Sequence, residues 1–390
     1  MRYQKIIYQT LPSQSLACEM VDQLATLSEH CDARVIDKPV ALYGAGNLGK
    51  MAKKYLNSIN IDISCVIDLN IQHFKNDPFW HKTTLYHPDE VPSQIINHHL
   101  LAICIVKTPI TAIQSQLIKQ GWRDFVPFYD IAESNRHRHP LSNGWFLKTL
   151  SKSDLSQIKS VLKGWSDDIS RAHHIQFLTW RKNRIECFFK YAPITWEDRF
   201  FIPQITSRLG PGERYLDVGA HHGDVIMQFM KCVQHQFSHI WAIEADHQNY
   251  AKLLQNCDAL GANVTLKQQC LSNHVKTISF FPSIGYAAQI SDFGTQKITT
   301  TTLDQLDIKP TFAKFHLEGW ELDALKGGRN MLQKYRPMLA ITIYHNDLGV
   351  WKIAKWLMTH LTDYHFILRH HCWQATSLVL YAIPKERKPF

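Results

Sequence analysis

Two glycine turns carry most of the chemical promise of this 390-residue chain. Each follows an apolar run directly, and each is answered by a carboxylate at the end of the next apolar run. The second turn reads Asp217-Val218-Gly219-Ala220-His221-His222-Gly223-Asp224, and Glu244 lies 244 − 223 = 21 residues after its last glycine. Gly219 lets the backbone turn sharply and come close to a ligand, and open α/β sheets take ligands at the C-terminal ends of their strands. A strand-end carboxylate accepts both ribose hydroxyls, as dinucleotide sites do. The loop is acidic and has no phosphate-binding basic residue, which suits a nucleoside without phosphates and with a positive tail that Asp217 would steer. The ligand-binding set read here is Asp217, Gly219, Ala220, His221, Gly223, Glu244, Ala245 and Ser272. A purely structural turn in an α/β domain is the competing reading.

The first turn, Gly44-Ala45-Gly46-Asn47-Leu48-Gly49, has the G-x-G-x-x-G form between a strand and a helix, and Asp68 follows 68 − 49 = 19 residues later. This is dinucleotide-fingerprint spacing. The region around it shows only four clear strands, too few for a full dehydrogenase fold, so redox chemistry is not expected. A ligandless structural or dimerising module and a nucleotide or nucleotide-sugar site both stay open.

A third constellation lies in Lys314-Phe315-His316-Leu317-Glu318-Gly319. Strand alternation puts Lys314, His316 and Glu318 on one face, and His345 ends a later apolar run. Glu318, His345 and His316 are the candidates to take a proton from an acceptor hydroxyl, and a structural role suits each equally well. Glu321 reads as a support residue. His221, His222, His316 and His345 lack ligand-like spacing, so no metal is expected.

The elements that must position these groups alternate. Apolar runs at 40–44, 63–68, 100–106 and 124–131 are separated by helical patterns and predict a parallel sheet. Residues 1–35 read as a helix-forming preamble, and residues 136–195 as a helical linker. A second alternating series follows at 214–220, 239–245, 263–271, 312–319 and 338–345, with a closing hairpin at 365–370 and 377–384. The predicted domains are 1–135, 136–195 and 196–390.

Hydrophobic residues make up 45% and charged residues 20% of the chain, as in a globular protein. No apolar run nears the roughly 18 residues of a membrane span, and no signal-peptide core is apparent at the N-terminus. The nine cysteines are scattered without a CxxC pair, which fits reduced thiols and a cytoplasmic location. The +9 charge is spread out, so it reads as solvated surface rather than a nucleic-acid footprint. An anionic, phosphorylated or nucleotide-linked substrate is a further option.

Four segments in order resemble the FkbM family of methyltransferases: DVGAHHGD (217–224), AIEADHQNYAKLLQN (242–256), ITTTTLDQL (298–306) and KFHLEGWELDALKG (314–327). The tail and the extra N-terminal α/β region resemble a two-domain subset of that family. The resemblance implies a class I methyltransferase Rossmann-like sheet with a smaller N-terminal Rossmann-like α/β domain. It also implies S-adenosylmethionine as cofactor and O-methylation of a saccharide or other small hydroxylated metabolite. The spread of charge and the lack of a long apolar run predict no nucleic-acid or membrane partner. Homo-oligomerisation is left open. One position departs from the pattern: the family keeps Asp where this chain has His316. A catalytically altered nucleotide-sugar-binding or scaffolding protein is therefore the alternative.

Overall fold

The computed structural model describes residues 3–27, 32–139, 141, 144–147, 149–282, 287–346 and 348–389. Cys31 lies outside them; the other eight cysteines are free thiols.

The chain starts with strand β1 (Gln4–Tyr8) where the sequence suggests a helical preamble. Its Ile-Ile-Tyr run favours a pleated backbone, and Tyr8 stacks on Phe189 at 4.5 Å. A helix over Gln14–Thr26 follows, with the Ser13 hydroxyl accepting from the Leu16 amide. Strands β2 (Val40–Tyr43), β3 (Ile63–Ile67), β4 (Leu85–Tyr86), β5 (Leu100–Ile103) and β6 (Phe125–Pro127) form a parallel sheet in the order β4-β3-β2-β5-β6. The apolar run 124–131, expected to be one strand, ends at Pro127 and continues as a helix over Phe128–Ser134. Proline donates no ladder hydrogen bond, and its fixed φ suits a helix start.

Helices Lys152–Gly164 and Asp168–Asn183 are capped by Ser151 and Asp167. Strand β7 (Ile185–Phe189) then pairs in parallel with β1. Residues 4–26 thus pack with the segment 152–189 rather than joining the N-terminal sheet.

The second half contains β8 (Glu213–Val218), β9 (Phe237–Glu244), β10 (Val264–Gln268), β11 (Cys270–Leu271), β12 (Thr277–Phe281), β13 (Gln289–Ile290), β14 (Gln296–Thr301), β15 (Phe312–Phe315), β16 (Met338–Thr342), β17 (Tyr364–His370) and β18 (Leu378–Pro384). Seven of them make the large sheet β10-β9-β8-β15-β16-β18-β17. Its first five strands are parallel, and β18 enters antiparallel between β16 and β17. A separate small sheet, β11-β14-β12-β13, was not foreseen as such from the sequence.

One hydrophobic cluster runs from one face of the N-terminal sheet (Tyr43, Ile103) through the helices 14–26, 152–164 and 168–183 to one face of the large sheet (Leu216, Ile341). The second halves of the two sheets' cores are separate clusters. Polar ties reinforce the joint. Arg184 and Asp130, both buried, pair at 2.8 Å, and Arg181 donates to the Tyr344 carbonyl at 2.5 Å and the Ala375 carbonyl at 3.1 Å. Among the described residues no helix is long and apolar enough to cross a membrane.

Candidate active site

Both sheets reverse strand order beside their glycine turn: between β2 and β5 in the small domain, and between β8 and β15 in the large one. Such switch points open a crevice at the strand ends. Here the two crevices meet in one cavity of about 740 Å³. Gly44, Gly46 and Asp68 line it from the N-terminal side; Gly219, Ala220, His221, Glu244 and Ala245 line it from the other.

The turn after β8 is held from three directions. Gly219 sits at φ 75°, and a Cβ there would meet the His316 carbonyl oxygen at 1.9 Å, so the close approach of two loops admits only glycine. The Gly219 and Ala220 amides donate to the Ile243 carbonyl. The Glu244 carboxylate accepts from the His221 amide at 2.8 Å and the Asp246 amide at 2.9 Å. Burial raises the Glu244 pKa against those two hydrogen bonds. Burial also lowers that of His221, to about 4.

Three of the expected ligand-binding residues do not reach the cavity wall. Asp217 is fully buried and faces Lys314, whose Nζ donates to its Oδ1 at 2.8 Å and to the Gly219 carbonyl at 2.7 Å. It acts on the glycine turn through Lys314 and has no route to a ligand's cationic tail. Gly223 starts the helix Asp224–Cys232 behind the turn and abuts Leu253 and Cys257. Ser272 is fully buried one residue past β11, against Gly327; Gln269, Cys270 and Leu271 face the cavity instead. The sequence placed one strand over 263–271, and the break at Gln269 changes which residues point inward.

The segment after β15 leaves the sheet earlier than alternation implied. The strand ends at Phe315, and Glu318 (φ 50°) and Gly319 (φ 104°) form a left-handed turn. Positive φ at a non-glycine residue is uncommon and clusters at functional sites. Glu321 holds this turn: its carboxylate accepts from the Leu317 and Gly319 amides at 3.0 Å each, from the Thr342 hydroxyl at 2.8 Å and from His345 Nδ1 at 3.0 Å. As a result His316 Nε2 and His345 Nε2 both face Glu318 Oε1, at 3.0 and 3.3 Å. His316 and Glu318 line the cavity, while His345 sits behind them. Metal-ligating atoms of the three lie within 4.8 Å of one another.

These charges work against simple base chemistry. Burial would raise the Glu318 pKa, yet the two histidines hold it well below the usual carboxylate range. Burial would lower that of His345, but Glu318 and Glu321 outweigh it and hold it well above the ordinary histidine value. Burial lowers that of His316 to about 3. An efficient base has a pKa near the working pH, and none of the three expected proton acceptors meets that condition.

Sequence reasoning missed several wall residues. Lys107, in the loop after β5, stacks its ammonium over Trp196 at 3.2 Å. Among the described residues Arg199 Nε and Nη2 are buried without a hydrogen-bond partner. The lysine follows a strand end, the one usable signal; nothing in the local sequence marks the arginine.

Residues 217–369 match the profile of the methyltransferase FkbM domain. The chain carries an FkbM methyltransferase domain. S-adenosylmethionine is accordingly its cofactor. The chain is similar to the methyltransferase FkbM from Methylobacillus flagellatus, with 15% identity and a TM-score of 0.57 over 96% of this chain and 94% of that one. The fold likeness therefore takes in the N-terminal domain as well. More local likenesses are to a precorrin-6y C5,15-methyltransferase from Geobacter metallireducens (12% identity, TM-score 0.30, 48% of this chain and 91% of that one) and to a SAM-dependent methyltransferase from Geobacter sulfurreducens in complex with S-adenosyl-L-homocysteine (17%, 0.24, 38% and 48%). No curated protein matches the chain.

Proposed function

We propose that the FkbM domain methylates a hydroxyl of a small acceptor, a saccharide bearing an anionic group, and that the N-terminal domain holds that acceptor. The observation that carries this reading is the single cavity walled by both glycine turns and by His316 and Glu318. Its volume falls in the range of small-molecule sites, roughly 300–1,000 Å³.

S-adenosylmethionine supplies an electrophilic methyl group on a sulfonium. The residues fit it: the Gly219 turn brings backbone to the wall, Glu244 presents a carboxylate suited to ribose hydroxyls, and neither places a phosphate-binding cation there. Asp217 positions the turn through Lys314, which reaches the cavity wall with its ammonium tied to Asp217 and the Gly219 carbonyl. On the far side, the helix Asn47–Ser58 starts at Gly46 without a side-chain cap, and Lys107 adds positive charge; Arg199 lines the cavity nearer His316. A helix N-terminus with a lysine near it favours an anion, which is the support for a phosphorylated or nucleotide-linked acceptor.

Gly46 gives a clean test. Its φ is not in the left-handed region, and a Cβ there meets nothing within 4 Å. Gly46→Phe is therefore expected to fold and to project into the acceptor end, with the melting temperature as the check. Calorimetry with S-adenosylhomocysteine should show unchanged affinity, while release of S-adenosylhomocysteine with a panel of phosphorylated and nucleotide-linked sugars should fall at least tenfold. Failure of the wild-type chain to bind S-adenosylhomocysteine would refute the methyltransferase reading. The scaffold alternative draws on His316 standing where the family keeps Asp; binding of S-adenosylhomocysteine with no turnover of any acceptor would favour it.

A further inference from the structure

We infer that His316, His345 and Glu318 form a binding site for one first-row divalent transition ion of borderline softness, of the zinc or cobalt class, with its open coordination positions facing the cavity. The inference goes beyond the proposed methyl transfer. Only the ion's use, making a ligated acceptor hydroxyl more acidic, rests on that reading; its binding does not.

Three observations converge. The first is geometric. Both Nε2 atoms approach the same carboxylate oxygen, at 3.0 and 3.3 Å, and the rings lie nearly parallel with centroids 5.0 Å apart. The two imidazole nitrogens and the carboxylate oxygen lie within 4.8 Å of one another, close enough to draw in around one ion at the roughly 2.0–2.2 Å that such ions require. The second is hydrogen bonding. The His316 and His345 Nε2 atoms are buried and both depend on the same Glu318 oxygen. Buried polar atoms of this kind call for an explanation. The third is the surrounding support. Glu321 takes the Nδ1 side of His345 at 3.0 Å, which leaves Nε2 to face Glu318. A carboxylate behind a ligating histidine is the usual outer support of a metal site. The same Glu321 also fixes the turn that carries Glu318.

The ligand types choose the ion. Two imidazoles and one carboxylate suit zinc, iron, cobalt or nickel rather than magnesium or calcium, which take oxygen ligands. Sequence spacing hides the cluster, because His345 comes from the end of a different strand. His221 and His222 are not part of it.

The test uses the whole chain, stripped with a chelator, dialysed and titrated with Co²⁺ alone. We expect one ion per chain and visible d–d absorption. His316→Ala and His345→Ala should abolish that absorption. Glu321→Gln, which removes only the support, should weaken binding about 10- to 100-fold. His316→Asp should restore binding but move preference towards Mn²⁺ or Mg²⁺. His316 lies in a cavity-wall loop, so its variants remain readable where His345→Ala melts early. Absence of the absorption in the wild-type chain, or its survival in both alanine variants, overturns the inference. Binding of S-adenosylhomocysteine, measured in parallel without metal, reports separately on the methyltransferase reading.

Discussion

The two glycine turns are wired alike and equipped differently. In the N-terminal domain Asp68 accepts from the Ala45 amide at 2.8 Å and the Asn70 amide at 2.7 Å. In the FkbM domain Glu244 accepts from the His221 and Asp246 amides at 2.8 and 2.9 Å. Each turn is also crowded by the loop across the switch point: Gly44 by the Cys104 carbonyl, Gly219 by the His316 carbonyl. The difference lies in what those crossing loops carry. After β5 come Cys104, Ile105, Val106 and Lys107; after β15 come His316, Leu317 and Glu318. On the proposed reading the crevice docks an acceptor in one half and reacts in the other, with the loop from the neighbouring strand making the difference.

The sharpest way to break that contrast is to remove the reactive loop's carboxylate. Glu318→Gln should lower turnover on the order of 10²-fold, because it removes the carboxylate that holds His316 and His345 together at the cavity wall, and misplaced site groups cost about that much. Affinity for S-adenosylhomocysteine and the melting temperature should stay near wild type; full turnover would erase the distinction between the loops. Next in size is the carboxylate pair. Glu244→Ala should weaken S-adenosylhomocysteine by about 1.5–3 kcal/mol, the worth of charged hydrogen bonds, while Asp68→Ala should leave that affinity within about threefold. Equal losses in calorimetry would mean that donor and acceptor ends are misassigned. Lys107→Ala should raise the KM for an anionic acceptor several-fold and leave a neutral analogue unaffected, since an exposed cation contributes modestly.

The last comparison leaves both crevices and concerns the joint between the halves. His174 is buried on the helix Asp168–Asn183, its Nδ1 accepting from Trp165 at 3.0 Å, and burial lowers its pKa to about 3. The unfolded chain binds a proton there below the ordinary value near 6.5, whereas the folded chain does not until about pH 3. Stability conferred by the neutral ring is thus present above pH 6.5 and lost as pH falls towards 3, at up to about 1.4 kcal/mol per pH unit. His174→Asn keeps an acceptor for Trp165 and should flatten this acid limb in denaturant melts between pH 6.5 and 4. An unchanged slope would show that other buried histidines, such as His173 and His370, carry it.

The large sheet was legible because its strands are short apolar runs broken by glycine or acidic turns, and periodicity reads such runs well. The same logic pointed to Gly219, Ala220, His221 and Glu244, which the fold places on the cavity wall. It erred where a local pattern was overruled by a distant partner. Asp217 looked like a ligand contact until Lys314, 97 residues away, claimed it. His345 gained its meaning only from Glu318 and Glu321 on another element. β1 could not be recognised because its partner β7 lies far along the chain. A pair of this sort leaves no mark in the sequence around either member.

That last pairing also sets a timetable. β1 is made first, yet its partner spans residues 185–189. At ribosomal speeds of roughly 5–20 residues per second, β1 waits on the order of 10–35 s before its edge is covered. During that interval the intervening parallel sheet can close, but an Ile-Ile-Tyr strand edge stays open to other chains. The lysine in Gln4-Lys5-Ile6-Ile7-Tyr8 is the sort of charge that discourages such encounters. Newborn chains, rather than mature ones, are where a substitution at Lys5 should reveal itself, as aggregate recovered during synthesis.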